Sequence, residues 1–174
     1  MIVPEEQRHL ATGSRPGEEP GGVGTITVLA RGGSEARKVL DRCRSVLAVI
    51  LDNSGPEWPT MEEWRSLLPE WFVAASGPER SREDAERWLA WWRTLGPADQ
   101  ARAESEQQWT LADWLYWMEP FERQWFWWDA EIGGDGTLRV TVEVPGWPAA
   151  LGALDWLLRA AGAAEVVHEE ASPA

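Results

Sequence analysis

The sequence predicts an α+β fold: a four-stranded antiparallel sheet in the order β-α-β-β-α-β, with a tryptophan-rich helical insertion between the first helix and the second strand. Three observations lead there. Period-two apolar alternation runs through 126–132 and 138–144 on either side of a glycine-rich turn. Two amphipathic helical stripes, one after a β-branched run at 25–30 and one after the hairpin, recur at three- and four-residue spacing. Of the 14 tryptophans, nine fall between Trp58 and Trp117, where the apolar spacing is helical throughout.

Residues 1–22 hold Pro4, Gly13, Pro16, Gly17, Pro20, Gly21 and Gly22 without periodicity and read as a disordered N-terminal arm. From Gly24, the run Thr25-Ile26-Thr27-Val28-Leu29-Ala30 has the β-branched content of a strand. Gly32 and Gly33 break it, and Ser34 is placed to cap a helix whose inward face is Ala36, Val39, Leu40, Cys43, Val46, Leu47 and Ile50. After the Asn- and Pro-rich loop 52–59, Thr60-Met61-Glu62-Glu63 fits a capping box. Met61, Trp64, Leu68 and Trp71 form the next stripe, with Pro69 kinking the helix or starting a new turn. A further helix begins at Ser81 to Asp84 and ends at Gly96-Pro97, and a polar one is expected over Ala98 to Gln108. Thr110 then caps a short helix, with Leu111, Trp114, Leu115 and Met118 on one side and Tyr116 and Trp117 on much of the rest, so burial nearly all round is expected.

The alternating runs make a hairpin around Gly133 to Thr137. Matching apolar to apolar sets Ile132 opposite Leu138, Ala130 opposite Val140, Trp128 opposite Val142 and Phe126 opposite Val144, leaving Glu131 against Arg139 and Trp127 against Glu143. A last helix with Ala150, Leu151, Leu154, Leu157, Leu158 and Ala161 inward stops at Gly162, and a strand follows at Ala164 to His168. With the helical block removed, the order is that of a ferredoxin-like fold, and right-handed crossovers put both long helices on one side of its sheet. One domain, residues 23–170 with the insertion at 52–121, and a disordered tail at 171–174 complete the organisation. The block is expected to lay its indoles over the sheet's other side, where Trp125, Trp127, Asp129, Glu131, Arg139, Thr141 and Glu143 point.

The net charge of −13 is concentrated in residues 61–174, which hold 21 of the 29 acidic groups. Such a field repels phosphate backbones and anionic membranes, so neither nucleic acid nor a membrane is expected as a partner; a basic protein, or a cationic or aromatic small molecule, is. Fifteen arginines against the single Lys38, with many Ala, Gly and Pro, read as the coding bias of a high-GC bacterium. No apolar run spans a bilayer, residues 1–20 carry no secretory leader, and the lone Cys43 precludes an internal disulfide, which together give a cytoplasmic expectation.

The ligand supply for a metal or haem is poor, since His9 lies in the presumed arm and His168 near the far end, so no metal or cofactor is expected. Nucleophile and base pairs at motif spacing are also missing, and Arg31-Gly32-Gly33-Ser34 is a faint phosphate cradle better read as a cap. Carboxylates near indole are the chemistry that remains. Asp129, beside Trp127 and Trp128, and Glu143 are the candidate acid or base groups, because burial against an indole raises a carboxyl pKa. Trp91, Trp117, Trp125 and Trp127 lie off the core stripes, and with Asp129, Arg139 and Glu143 they form the candidate binding set. The leading reading is a non-enzymatic, acidic protein-interaction module of immunity, inhibitor or adaptor type. Behind it come an indole-lined pocket for a cationic or aromatic ligand and a cofactor-independent enzyme using a carboxylate.

Overall fold

A computed structural model describes residues 2–96, 99 and 109–169. The protein is α+β, with helices α1 (Val3–Thr12), α2 (Ala36–Asp52), α3 (Met61–Leu67), α4 (Glu70–Ala75), α5 (Arg82–Trp92), α6 (Leu111–Tyr116) and α7 (Gly152–Ala161), and strands β1 (Gly24–Arg31), β2 (Phe126–Ile132), β3 (Leu138–Val144) and β4 (Glu165–His168). The four strands form one antiparallel sheet in the order β2-β3-β1-β4. Asp99 apart, the polar helix expected at Ala98 to Gln108 lies outside the described residues, as does the tail at 171–174.

One sheet face carries Ile26, Val28 and Ala30 from β1 beside Val142, Val140 and Leu138 from β3, and it is buried beneath α2 and α7. The stripe expected for α2 packs there, with Val39, Leu40, Cys43, Val46, Leu47 and Ile50 all buried. Ser34 does not cap α2. Glu35 holds that position without a side-chain bond, while the Ser34 amide donates to the Gly162 carbonyl at 2.9 Å. This contact ties the start of α2 to the end of α7 through two glycines: Gly33 (φ +69°) sits so close that a Cβ would lie 2.1 Å from the Gly162 oxygen.

The caps in the helical block form as read. Thr60 and Glu63 make the reciprocal capping box of α3, Pro69 opens α4 as a separate helix, and the Thr110 hydroxyl accepts the Asp113 amide of α6 at 3.0 Å. Helix α6 is not buried all round, because Tyr116 remains 48% exposed.

The hairpin keeps its expected register from Ile132↔Leu138 to Asp129↔Thr141 and then departs from it. A bulge at Trp128 shifts the pairing to Trp127↔Val142 and Phe126↔Glu143. One extra residue in a strand with period two exchanges its faces, so Trp127 turns into the core, fully buried, instead of lying across from Glu143.

The block also docks elsewhere than expected. It packs on the helices, where the Trp114 indole donates to the Ala153 carbonyl of α7 at 2.9 Å and Phe72 sets its edge on Trp114 (4.6 Å) and Trp156 (4.9 Å). The Arg42 guanidinium of α2 lies over Trp71 at 4.8 Å. The physical reason is the composition of the two targets. Helix α7 buries Ala153, Leu154, Trp156, Leu157, Leu158 and Ala161, more than one face's worth of apolar surface, whereas the far side of the sheet sets Leu29 among the polar Thr25, Thr27, Arg139, Thr141 and Glu143 once the bulge has removed Trp127. Trp64, Phe72, Leu111, Trp114 and Met118 consequently join the sheet residues in one continuous core.

The largest departure is at the N-terminus. The segment read as a disordered arm contains helix α1, with Pro4 at its start, Glu5 and Glu6 in its first turn and Gly13 (φ +74°) as its stop. It buries Glu6, His9 and Leu10 against β2 and α2.

Candidate functional site

Strand β2 is at the sheet edge, so alternate backbone groups face away from β3 and need partners. Helix α1 supplies them. Glu6 Oε1 accepts the Trp127 amide at 2.7 Å, and His9 Nδ1 meets the Trp128 carbonyl at 2.8 Å while its ring stacks on the Trp128 indole at 4.3 Å. The bulge makes this docking feasible, since it aims successive backbone groups of Trp127 and Trp128 at the same helix.

Around these two residues lies a polar cluster. Glu6 is 2% exposed and receives both terminal nitrogens of Arg123, at 3.1 and 2.5 Å, in a bidentate ion pair. The Arg123 guanidinium also covers the ring of Trp125 at 4.6 Å and that of Phe126 at 5.5 Å. On the solvent side, Arg8 Nη2 reaches both His9 Nε2, at 2.7 Å, and Glu18 Oε1. Guanidinium only donates and a carbonyl only accepts, so the His9 proton is on Nδ1 and Nε2 presents its lone pair. The Arg15 amide, hydrogen-bonded to Glu18, and then the Arg8 guanidinium hold the Glu18 carboxyl below the usual carboxylate range against desolvation.

The residues singled out by sequence are placed as follows. Asp129 is half-buried; Oδ2 accepts the Ser14 hydroxyl at 2.7 Å and Oδ1 accepts the Ala130 amide at 2.7 Å, so its carboxylate fastens the α1–β1 connector to the sheet. Glu143 is buried beside Gly21 and Gly22 of the same connector. Arg139 bonds Glu169 at 2.7 Å and lies 3.8 Å from Glu131. Trp125 and Trp127 are interior, Trp117 packs on the core from α6, and Trp91 is half-exposed on α5. Asp129, Arg139 and Glu143 share the face opposite the helices, but the indoles do not join them there. Cys43 is wholly buried and its thiol is pushed up in pKa by desolvation, which leaves it a packing residue.

A second feature lies on the block. Glu119, Pro120, Phe121 and Glu122 form a turn after α6, closed by the Glu122 and Arg123 amides on the Glu119 carbonyl at 3.0 and 2.9 Å. Its tip, Phe121, is 99% exposed. Tyr116, five residues before it, is edge-on to Trp117 at 5.4 Å, and the hydrogen-bonded Glu122 carboxylate, with the Glu119 charge, raises the phenol's pKa.

The sequence reading missed Glu6, Glu18 and Arg123, and set His9 aside as part of the arm. The available signal was Pro4-Glu5-Glu6 ahead of Leu10 and Gly13, a proline-and-acid helix start with a glycine stop. No helix among the described residues is long and apolar enough to cross a membrane. No protein-family model, curated protein or solved structure matches this chain.

Proposed function

We propose that this chain is a non-enzymatic protein-interaction module that binds a basic protein through an acidic aromatic turn. The observation that carries the reading is Phe121, 99% exposed on a turn whose flanks are Glu119 and Glu122. A phenylalanine fully in water on a hydrogen-bonded turn is a preorganised apolar anchor, and it forfeits its hydrophobic free energy until something covers it. The neighbouring carboxylates select a cationic surface and speed the encounter, in keeping with the net charge of −13. Of the carboxylates considered for acid or base work, Asp129 is bonded to the Ser14 hydroxyl of the connector and Glu143 is buried beside its glycines, which weakens a catalytic reading.

The scaffold fits a ferredoxin-like description: the strand order β2-β3-β1-β4, with long helices after β1 and β3, is what two split β-α-β units produce. A bacterial cytoplasmic setting agrees with the arginine-rich composition and the single buried thiol. An immunity, inhibitor or adaptor role follows from the same chemistry.

The test is affinity capture from the native host at low and high salt, with the wild type beside a Phe121→Ala, Glu119→Gln, Glu122→Gln variant. A basic protein held by the wild type at low salt, and lost in the variant or at high salt, is the expected result. Equal capture by both proteins, or capture of no basic protein, would remove the proposal.

A further inference from the structure

We infer that Glu5, His9 and Glu18 form a binding site for a divalent transition-metal ion of the Zn²⁺ class, with Arg8 as its displaceable internal counter-cation. One ligand atom from each of the three side chains lies within 4.8 Å of the others. The His9 Nε2 to Glu18 Oε1 separation is 3.4 Å. Two ligands at roughly 2.1 Å from a tetrahedral ion are themselves roughly 3.4 Å apart, so this pair already has the required spacing. Glu5 is exposed on the first turn of α1, one helical turn before His9, and a rotation of its side chain brings its oxygen in.

The imidazole is oriented as a metal ligand would be. Nδ1 is fixed on the Trp128 carbonyl at 2.8 Å, an outer-shell bond that sets the tautomer and leaves Nε2 facing Glu18 with a lone pair. His9 is wholly buried and stacked on Trp128, so this arrangement is rigid. A positively charged group already occupies the gap between the ligands: Arg8 Nη2 contacts both Nε2 and Glu18 Oε1. The Arg8 seat is imperfect, since its Nη1 is buried without a hydrogen-bond acceptor among the described residues, and turning the side chain outward would hydrate it. With two carboxylates and a neutral imidazole, the cluster carries two negative charges, which Arg8 neutralises by half and a divalent ion neutralises in full. Two carboxylate oxygens and one imidazole nitrogen suit Zn²⁺, Mn²⁺ or Fe²⁺ and leave positions for water.

The experiment titrates the full chain with Zn²⁺ by calorimetry and with Co²⁺ by visible absorption, comparing wild type, Glu18→Gln and Arg8→Ala. The site requires one saturable equivalent of metal, affinity reduced roughly tenfold or more by Glu18→Gln, and affinity raised by Arg8→Ala. His9 also supports the fold, so its part is read without substitution, from movement of its Nε2 resonance on Zn²⁺ addition. Absence of saturable uptake in both the wild type and Arg8→Ala, uptake indifferent to Glu18→Gln, or a stationary Nε2 resonance would overturn the site. A cluster that is only structural would instead show Arg8→Ala lowering Tm with no gain in metal affinity, which also overturns it.

Discussion

Glu6 of the first helix and Arg123, 117 positions away, form a bidentate ion pair at 3.1 and 2.5 Å with both side chains removed from water. The pair closes the interval between α1 and the start of β2, and Glu6 simultaneously holds the Trp127 amide. Removing either partner leaves a buried charge alone, so Glu6→Gln or Arg123→Met should each cost about 3–5 kcal/mol. The double variant should cost clearly less than the sum. Urea denaturation of the four proteins checks this, and additive losses would mean the two charges do not act as a unit.

The seam between the helical block and α7 rests on the Trp114 indole and its bond to the Ala153 carbonyl. Trp114→Phe should therefore destabilise by about 1–3 kcal/mol, since a buried acceptor loses its extra partner and a void opens. Trp114 and Trp156 should also show a coupling above about 0.5 kcal/mol in a double-mutant cycle, as expected of side chains that share Phe72 as a neighbour.

Gly33 has φ +69° and no room for a Cβ against the Gly162 carbonyl. Gly33→Ala is expected to lose about 1–3 kcal/mol, measured by thermal or urea unfolding. Gly134→Ala, in an open hairpin turn with nothing within 4 Å of its Cβ position, serves as the control and should be near neutral.

His168 of β4 bonds Asp155 of α7 at 2.8 Å, and that hydrogen bond, reinforced by the charge, raises the imidazole pKa above its ordinary value despite opposing desolvation and Arg159. The folded pKa exceeds the unfolded one, so the stabilisation is fully present below about pH 6.5 and fades as pH climbs through the folded value. Asp155→Asn should flatten this dependence and return the His168 titration, followed by NMR, toward about 6.5.

Phe121 touches so little of the protein that Phe121→Ala should change stability by less than about 0.5 kcal/mol. Its far-ultraviolet spectrum and Tm should match the wild type, while association with a basic partner falls. A large loss of stability would show that the ring supports the fold.

The parts of the fold legible in sequence were those with repeated local signals. The α2 stripe from Val39 to Ile50, the α7 stripe ending at Gly162 and the Thr60–Glu63 cap each repeat one preference several times. The hairpin was legible up to Asp129 because charge and apolarity agree there. Beyond it stand Trp125, Phe126, Trp127 and Trp128, four aromatics in a row, and nothing in their identity tells which is the supernumerary residue. Docking of the block was hidden for a related reason: α7 is apolar on two sides, and a stripe reports that a face is buried without saying against what. The polar cluster was missed because glycines and prolines flanking α1 outweighed its short amphipathic pattern, and because a buried Glu6–Arg123 pair leaves no periodic trace.

The first helix covers the rim of the sheet with side-chain acceptors and donors rather than with another strand. Clipping the dozen leading residues, or fusing a bulky tag close to them, would bare the Trp127 amide and the Trp128 carbonyl together with an indole face, offering other polypeptides a template for cross-strand adhesion. Expression designs that leave this helix intact and attach their handles at the opposite terminus should stay monodisperse where trimmed ones precipitate.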